Sequence, residues 1–205
     1  MPRLADKRRA ILRGALTVFA REGYSRASID QIAREAGVST RTIYNHVADK
    51  AALFRVVIDE SAAQVAETQI GVMGRFLADP GPDLREALVG FAQEHAVPSD
   101  REHFALVRQI QAEVGHIPAE ALESWQDTGP RRVQHALEEH LARFMAEGRL
   151  RQADPSRAAR HLVLLSAGEV TSRSFHGAIP LAPAEVEAIA REGVDVFLRA
   201  YAPEN

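Results

Sequence analysis

The chain has 205 residues, of which 46% are hydrophobic, so it is long and apolar enough to bury a core without covalent cross-links. It contains no cysteine, which excludes disulfides, thiolate metal sites and thiol nucleophiles. The first residues lack the pattern of a secretory signal, and no apolar stretch reaches the roughly 18 residues that a membrane span needs. We therefore expect a soluble, cytoplasmic protein with no membrane partner.

The net charge of -3 conceals a reversal of sign along the chain. Residues 1–55 contain 11 Lys and Arg against 5 Asp and Glu, whereas residues 56–205 contain 14 against 23. A basic segment attached to an acidic body indicates that only the first part meets a polyanion such as nucleic acid. Chance clustering of solvated surface charges is the alternative.

Apolar residues recur with a helical period throughout the chain, and the alternation typical of strands is nearly absent. The sequence therefore predicts an all-α fold of about nine helices. Glycine, proline and capping residues set their limits. The predicted helices span about 5–22, 29–36, 40–46, 50–76, 83–95, 100–114, 119–147 with an interruption at Gly129-Pro130, 155–175 and 183–201.

The segment Ser28 to Phe54 has the pattern of a helix-turn-helix. Ala33 is small enough to let two helices approach, Gly37 permits a left-handed turn, and Val38 and Ile43 fill the space beneath. The second helix then presents its other residues outward, and a helix of this kind fits a major groove. These outward residues are Thr40, Arg41, Thr42, Tyr44, Asn45 and His46.

The residue types on this second helix suit DNA. Arginine can grip guanine edges and asparagine adenine edges, each through two hydrogen bonds. Threonine, tyrosine, histidine and lysine can donate to phosphates. The alternative for each residue is an ordinary surface position or, for Tyr44, a place in the small hydrophobic core.

The string AGVSTRTIYNHVADKAALF resembles the corresponding segment of the TetR family, and the resemblance covers about Ala10 to Phe54. It implies a three-helix DNA-binding domain at 1–48, joined by a long helix to a ligand-binding and dimerisation domain at 49–205. It also implies that Thr40, Arg41 and Asn45 face bases. The phosphate ligands implied by the resemblance are Ser28, Tyr44, His46 and Lys50. One departure is Val47, where the family usually has phenylalanine, and this affects local packing.

The last two predicted helices have broad apolar faces, with small residues such as Gly193 that allow close packing. In the family these helices pair with those of a second subunit as a four-helix bundle, so we expect a homodimer. Alternatively, the same apolar faces pack within the core of a single chain. A dimer places two recognition helices in successive major grooves about 34 to 36 Å apart, which predicts a near-palindromic operator.

Polar and aromatic residues on the apolar stripes of the middle helices are candidates for a small-molecule site, because such sites combine apolar walls with a few polar anchors. Simple core packing is the alternative for each of them. The candidates are Phe91, His95, Phe104, Arg108, Gln111, Trp125 and His140. We predict no cofactor and no metal.

The expected function is a ligand-responsive transcription regulator, a repressor by the family's usual behaviour. One alternative is an enzyme, but the histidines of HALEEH (135–140) are five residues apart and do not share a helix face as metal ligands do. A second alternative is a non-specific or architectural DNA-binding protein, for which an acidic body of about 150 residues would be superfluous.

Overall fold

A computed structural model describes residues 4–203 of the chain, and this part contains eleven α-helices, one short 3-10 helix and no strand. The all-α prediction is confirmed. The α-helices are α1 (Leu4–Arg26), α2 (Ile29–Ala36), α3 (Thr40–Tyr44), α4 (Lys50–Leu77), α5 (Leu84–Ala96), α6 (Arg101–Glu113), α7 (Ala119–Thr128), α8 (Pro130–Ala146), α9 (Pro155–Ser166), α10 (Gly168–Arg173) and α11 (Pro183–Tyr201). The 3-10 helix spans Val114–His116.

Side-chain caps explain where several helices begin. Asp83, Asp100 and Asp154 accept hydrogen bonds from backbone N–H groups in the first turns of α5, α6 and α9. Proline stands at the start of α9 and of α11, where its missing N–H costs no helical hydrogen bond. These local signals allowed the sequence to predict the starting points.

The helix predicted at 155–175 is broken at Ala167, which has φ −124° and ψ −21°. A close crossing lies beside the break: a Cβ atom added at Gly193 would lie 2.1 Å from the carbonyl oxygen of Leu165. The backbone of α11 thus presses directly on the end of α9. This long-range packing, which sequence periodicity does not reveal, accompanies the division into α9 and α10.

The end of α1 also differs from prediction. The predicted stop at Gly23 is a kink, with φ 81° and ψ 175°, after which helical turns continue to Arg26. A Cβ atom at this position would lie 2.5 Å from Oε1 of Glu113, while Oε2 of Glu113 accepts a hydrogen bond from Ser25 N at 2.8 Å. The backbone angle therefore favours glycine, and the side chain of Glu113 would have to shift to admit a Cβ atom.

By contacts, the chain divides into two compact units. The head unit consists of the chain up to Val65 together with Asp100–Pro130, and the body unit consists of Ala66–Ser99 together with the chain from Arg131 onward. The predicted boundary between residues 48 and 49 separates a DNA-binding domain from a ligand-binding domain, and it stays a prediction.

The head unit has a core to which α1, α2, α3, α4, α6 and α7 contribute. Phe19 and Phe54 meet edge to face at its centre, with ring centroids 4.9 Å apart. The fully buried larger residues of this core include Ile11, Phe19, Ile32, Ile43, Leu53, Phe54 and Ile58.

The body unit has its own core around α5, α8, α9 and α11, with the second half of α4 against it. Its fully buried members include Met73, Leu88, Phe91, Leu141, Phe144, Leu162, Val194 and Phe197. Within residues 4–203, no helix is both long enough and apolar enough to span a bilayer.

Candidate nucleic-acid interface

The first helix of the predicted helix-turn-helix, α2, begins with a reciprocal cap between Ser28 and Gln31. Gln31 N donates to Ser28 Oγ at 3.2 Å, and Ser28 N donates to Gln31 Oε1 at 2.8 Å. The cap fixes the start of α2 on two backbone N–H groups. The sequence analysis did not identify Gln31, although the spacing Ser-x-x-Gln is itself the sequence signal of this motif.

The turn after α2 depends on Gly37, which has φ 65° and ψ 34°. Val38 N donates to Ala33 O at 3.0 Å and closes the turn. On the other side of α2, a Cβ atom at Gly14 of α1 would lie 2.9 Å from Ala36 N. α1 therefore supports α2 at contact distance, and this contact fixes the angle at which the motif is held.

The recognition helix α3 is short and capped by Ser39. Ser39 Oγ accepts from Thr42 N at 3.2 Å and lies 2.8 Å from Thr42 Oγ1. Ile43 is fully buried and anchors the helix to the head core, and Val47 packs on the same core. The valine that stands in place of the family's phenylalanine thus still serves as a packing residue.

The remaining side chains of α3 and the following turn face outward to different degrees. Arg41, Tyr44 and Asn45 are exposed, and Tyr44 keeps 55% of its surface. Thr40, Thr42 and His46 are half-buried. An exposed tyrosine contradicts its alternative role in the small core. The structure therefore leaves an arginine, a tyrosine and an asparagine side by side on a rigidly anchored helix.

Lys50, predicted to hold a phosphate, makes three bonds to its own chain. Its Nζ donates to the carbonyl oxygens of Tyr24 at 3.0 Å, Ala27 at 3.2 Å and Ser25 at 3.4 Å. An ammonium group has three N–H donors, which matches two carbonyls at the end of α1 and a third just after it. Lys50 therefore links the start of α4 to the segment that leads into α2.

The seven candidates for a small-molecule site are divided between the two units. Phe91, His95 and His140 belong to the body unit, and Phe104, Arg108, Gln111 and Trp125 belong to the head unit. Within the head, Trp125 packs against the hydrophobic core. Within the body, Phe91 is fully buried, and its ring centroid lies 5.1 Å from that of His95.

Two of these candidates are histidines with altered proton affinity. Burial lowers the pKa of His95 to about 4, so its imidazole is neutral at physiological pH. Burial, with a smaller contribution from the nearby positive charge of Arg143, also lowers the pKa of His140. His95 Nδ1 lies 2.7 Å from Oε1 of Gln69, a buried residue that the sequence analysis did not identify.

Two family models match the chain. Residues 11–57 match the model described as bacterial regulatory proteins of the tetR family, and residues 86–203 match the C-terminal domain of AefR-like transcriptional repressors. The second match alone covers more than half of the sequence. The chain belongs to the TetR family of transcription regulators. The TetR-family resemblance of residues 10–54 is thereby confirmed.

A curated TetR-family relative is the transcriptional regulator AcrR of Shigella flexneri, 36% identical over 84 residues. The matched segment covers 41% of this chain and 39% of AcrR, so it spans about two fifths of that relative's length. Sequence similarity to this relative is therefore confined to a minor part of each protein.

Solved structures extend the likeness over the whole fold. A TetR-family transcriptional regulator from Mesorhizobium loti aligns with 98% of this chain and 100% of its own, at 28% identity and a TM-score of 0.85. The flavonoid-responsive regulator FrrA aligns over the same shares, at 28% identity and a TM-score of 0.76. The matched family, AcrR and the Mesorhizobium loti protein are transcription regulators, and the enzyme alternative is set aside on that ground.

Proposed function

We propose that this TetR-family protein is a ligand-responsive repressor that binds a near-palindromic operator as a homodimer and is released by a small molecule. The observation that carries the proposal is the exposure of Arg41, Tyr44 and Asn45 on a helix anchored by Ile43. The excess of basic residues in the first 55 residues supports the same surface.

In this proposal the division of labour follows the predicted boundary, with DNA binding in residues 1–48 and effector binding and dimerisation in residues 49–205. Base contacts come from Thr40, Arg41 and Asn45. Phosphate contacts come from the other predicted residues, Ser28, Thr42, Tyr44, His46 and Lys50. The capping bonds of Ser28 and the carbonyl bonds of Lys50 are compatible with a role in which these residues also position the helices.

Only part of the apolar surface of α9 and α11 is available for a dimer interface. Leu162, Val194 and Phe197 are fully buried within the chain, so they close its own core. Leu164 and Leu165 of α9 remain 67% and 40% exposed. Three large apolar side chains thus stay on the surface of the two helices: Leu164, Leu165 and Val196. Association of two subunits would remove them from water.

For the effector, the proposal retains the seven candidates named from the sequence, and the described behaviour of FrrA as flavonoid-responsive supports a small organic molecule. Effector binding favours one of two conformations, and the coupled motion of α4 changes the separation of the two DNA-binding domains of the dimer. The effector shifts this balance only by its difference in affinity for the two conformations.

Operator binding by a double variant tests the proposal. DNA from the region upstream of the gene is titrated with the wild-type protein and with Arg41→Ala combined with Asn45→Ala. We expect a loss of at least about 30-fold, because each side chain contributes about 1 to 3 kcal/mol to base recognition. The control is Arg101→Ala, which removes an exposed arginine elsewhere in the head unit.

Unchanged affinity of the double variant would reject the recognition surface. Equal affinity of the wild type for upstream and random DNA would favour the alternative of a non-specific DNA-binding protein. The measurement is made at two salt concentrations, since operator binding by the basic segment at residues 1–55 weakens steeply as salt rises.

A further inference from the structure

A cavity of about 710 Å³ opens within the body unit, between the second half of α4, the end of α5 and the start of α11. Its size falls in the range of sites for small organic ligands. The walls are mainly apolar, and their larger apolar residues are Val72, Val97, Pro98, Leu181, Pro183 and Val186. The cavity contains none of the seven candidates chosen from the sequence.

One polar side chain in the cavity wall is almost completely buried. Gln69 is only 5% exposed, and its Oε1 atom lies 2.7 Å from His95 Nδ1. Because the imidazole of His95 is neutral, Nδ1 can carry the proton and donate it to this oxygen. The amide group is then held by its oxygen, and its orientation is fixed.

The Nε2 group of Gln69 makes no hydrogen bond to any residue in the described range 4–203. An amide nitrogen has two N–H donors, and covering them with a ligand that offers no acceptor costs free energy. Since Gln69 lines the cavity, the open donor is available to a molecule inside it. An acceptor oxygen or nitrogen on that molecule would complete the amide's hydrogen bonding.

The charged residues that border the cavity are paired with one another or with neighbours. Arg75 makes an ion pair with Glu94, and Glu187 lies 3.3 Å from the guanidinium of Arg191. These residues therefore present no unpaired charge to a ligand in the cavity. Apolar walls, paired charges and an open donor on a nearly buried amide together favour a neutral molecule.

We propose that this cavity binds a neutral, largely apolar organic molecule whose hydrogen-bond acceptor, a carbonyl or hydroxyl oxygen, takes the N–H of Gln69. His95 is a positioning residue that holds the amide in the required orientation. The regulatory consequence of this binding rests on the proposed function, whereas the binding itself is independent of DNA.

Nile red is a suitable probe, because it is neutral, carries a carbonyl acceptor and fluoresces more strongly in apolar surroundings. It is titrated into the full-length protein without DNA. Ala184 is exposed at the cavity, so Ala184→Trp fills the space without disturbing the core. Ala146→Trp, at an exposed position of α8 outside the cavity, is the matched control.

We expect saturable binding of one probe per chain, at least 10-fold weaker in Ala184→Trp and unchanged in Ala146→Trp. Gln69→Leu removes the donor at similar size, and we expect affinity to fall about 5- to 10-fold, the usual effect of one hydrogen bond. The anionic dye 1-anilinonaphthalene-8-sulfonate should bind less tightly than Nile red at this site.

Absence of saturable binding to the wild type, or equal binding by the two tryptophan variants, overturns the proposal. An unchanged affinity in Gln69→Leu overturns the assigned role of the amide. Operator binding is measured separately with the same proteins. If the probe binds as expected but leaves operator affinity unaltered, the cavity stands and the effector role in the proposed function fails.

Discussion

Lys50 Nζ donates to the backbone carbonyl of Tyr24 at 3.0 Å and lies 4.7 Å from the centre of the same residue's ring. The first residue of α4 thus contacts the end of α1 through both a hydrogen bond and a cation–π interaction. Ser28, which begins α2, follows four residues later in the chain. The position of the helix-turn-helix therefore depends on this lysine even without contact to DNA.

We expect Lys50→Met to lower the free energy of unfolding by about 2 kcal/mol, because three carbonyl bonds to an ammonium group are lost. Urea unfolding measures this change. Operator affinity should also fall. Because Lys50 is proposed to hold a phosphate, its loss should reduce the slope of log K against log salt by about one, whereas loss of a residue that only positions the helices would leave the slope unchanged. Lys7→Met, at an exposed position of α1, is the control for loss of one positive charge.

Gly193 is predicted to tolerate no side chain. A methyl group there would lie 2.1 Å from the carbonyl oxygen of Leu165, which is backbone and cannot rotate away. We expect Gly193→Ala to destabilise the protein by about 1 to 3 kcal/mol, against the usual gain in helix propensity. Thermal or urea unfolding tests this. The comparison is Ala188→Gly on the exposed face of the same helix, where the expected cost is about 1 kcal/mol of propensity alone.

Local sequence signals were enough to predict the helix limits between residues 28 and 40. Ser28, Gly37 and Ser39 mark helix limits through bonds to atoms within a few residues, so their roles follow from spacing. The three carbonyl partners of Lys50 lie 23 to 26 residues away, and the contact of Gly193 with Leu165 joins two separate helices. Such features depend on how helices pack, and no short motif encodes that packing.

The candidate effector site also depends on helix packing, which sequence patterns do not reveal. Helical periodicity correctly placed Phe91 on the buried face of α5, yet it could not distinguish a residue that lines a cavity from one that packs in the core. Gln69 was overlooked because a lone glutamine in a long helix is usually exposed. Only the three-dimensional arrangement shows that it is buried, that His95 holds its oxygen and that its nitrogen lacks a partner.

The proposed dimer predicts the effect of a charge at Leu164. This residue is 67% exposed, so Leu164→Glu should fold normally in the isolated chain. Burial of a carboxylate in a subunit interface is costly, and we expect a monomer in analytical ultracentrifugation and a large loss of operator affinity. Val114→Glu introduces the same charge at a 56% exposed position of the head unit and should leave the assembly unchanged. A monomeric wild type would contradict this interface.

The buried imidazole of His95 predicts how stability depends on pH. Its pKa is lowered from 6.5 to about 4, so between these values the unfolded chain binds a proton that the folded chain does not. The free energy of unfolding should therefore fall as pH decreases through this window, by about 2 kcal/mol between pH 7 and pH 5. Above pH 7 both states are neutral at this residue, and its contribution is constant.

Urea unfolding of the wild type and His95→Gln at pH 7 and pH 5 isolates this contribution. Glutamine can still donate to Gln69 but cannot take up a proton in this range. His103, whose pKa is also lowered chiefly by burial, acts with the same sign in both proteins and cancels in the comparison. We expect the wild type to lose about 2 kcal/mol more than the variant on acidification. Equal losses would show that the imidazole is accessible to protons, and the fixed orientation of the Gln69 amide would then have no support.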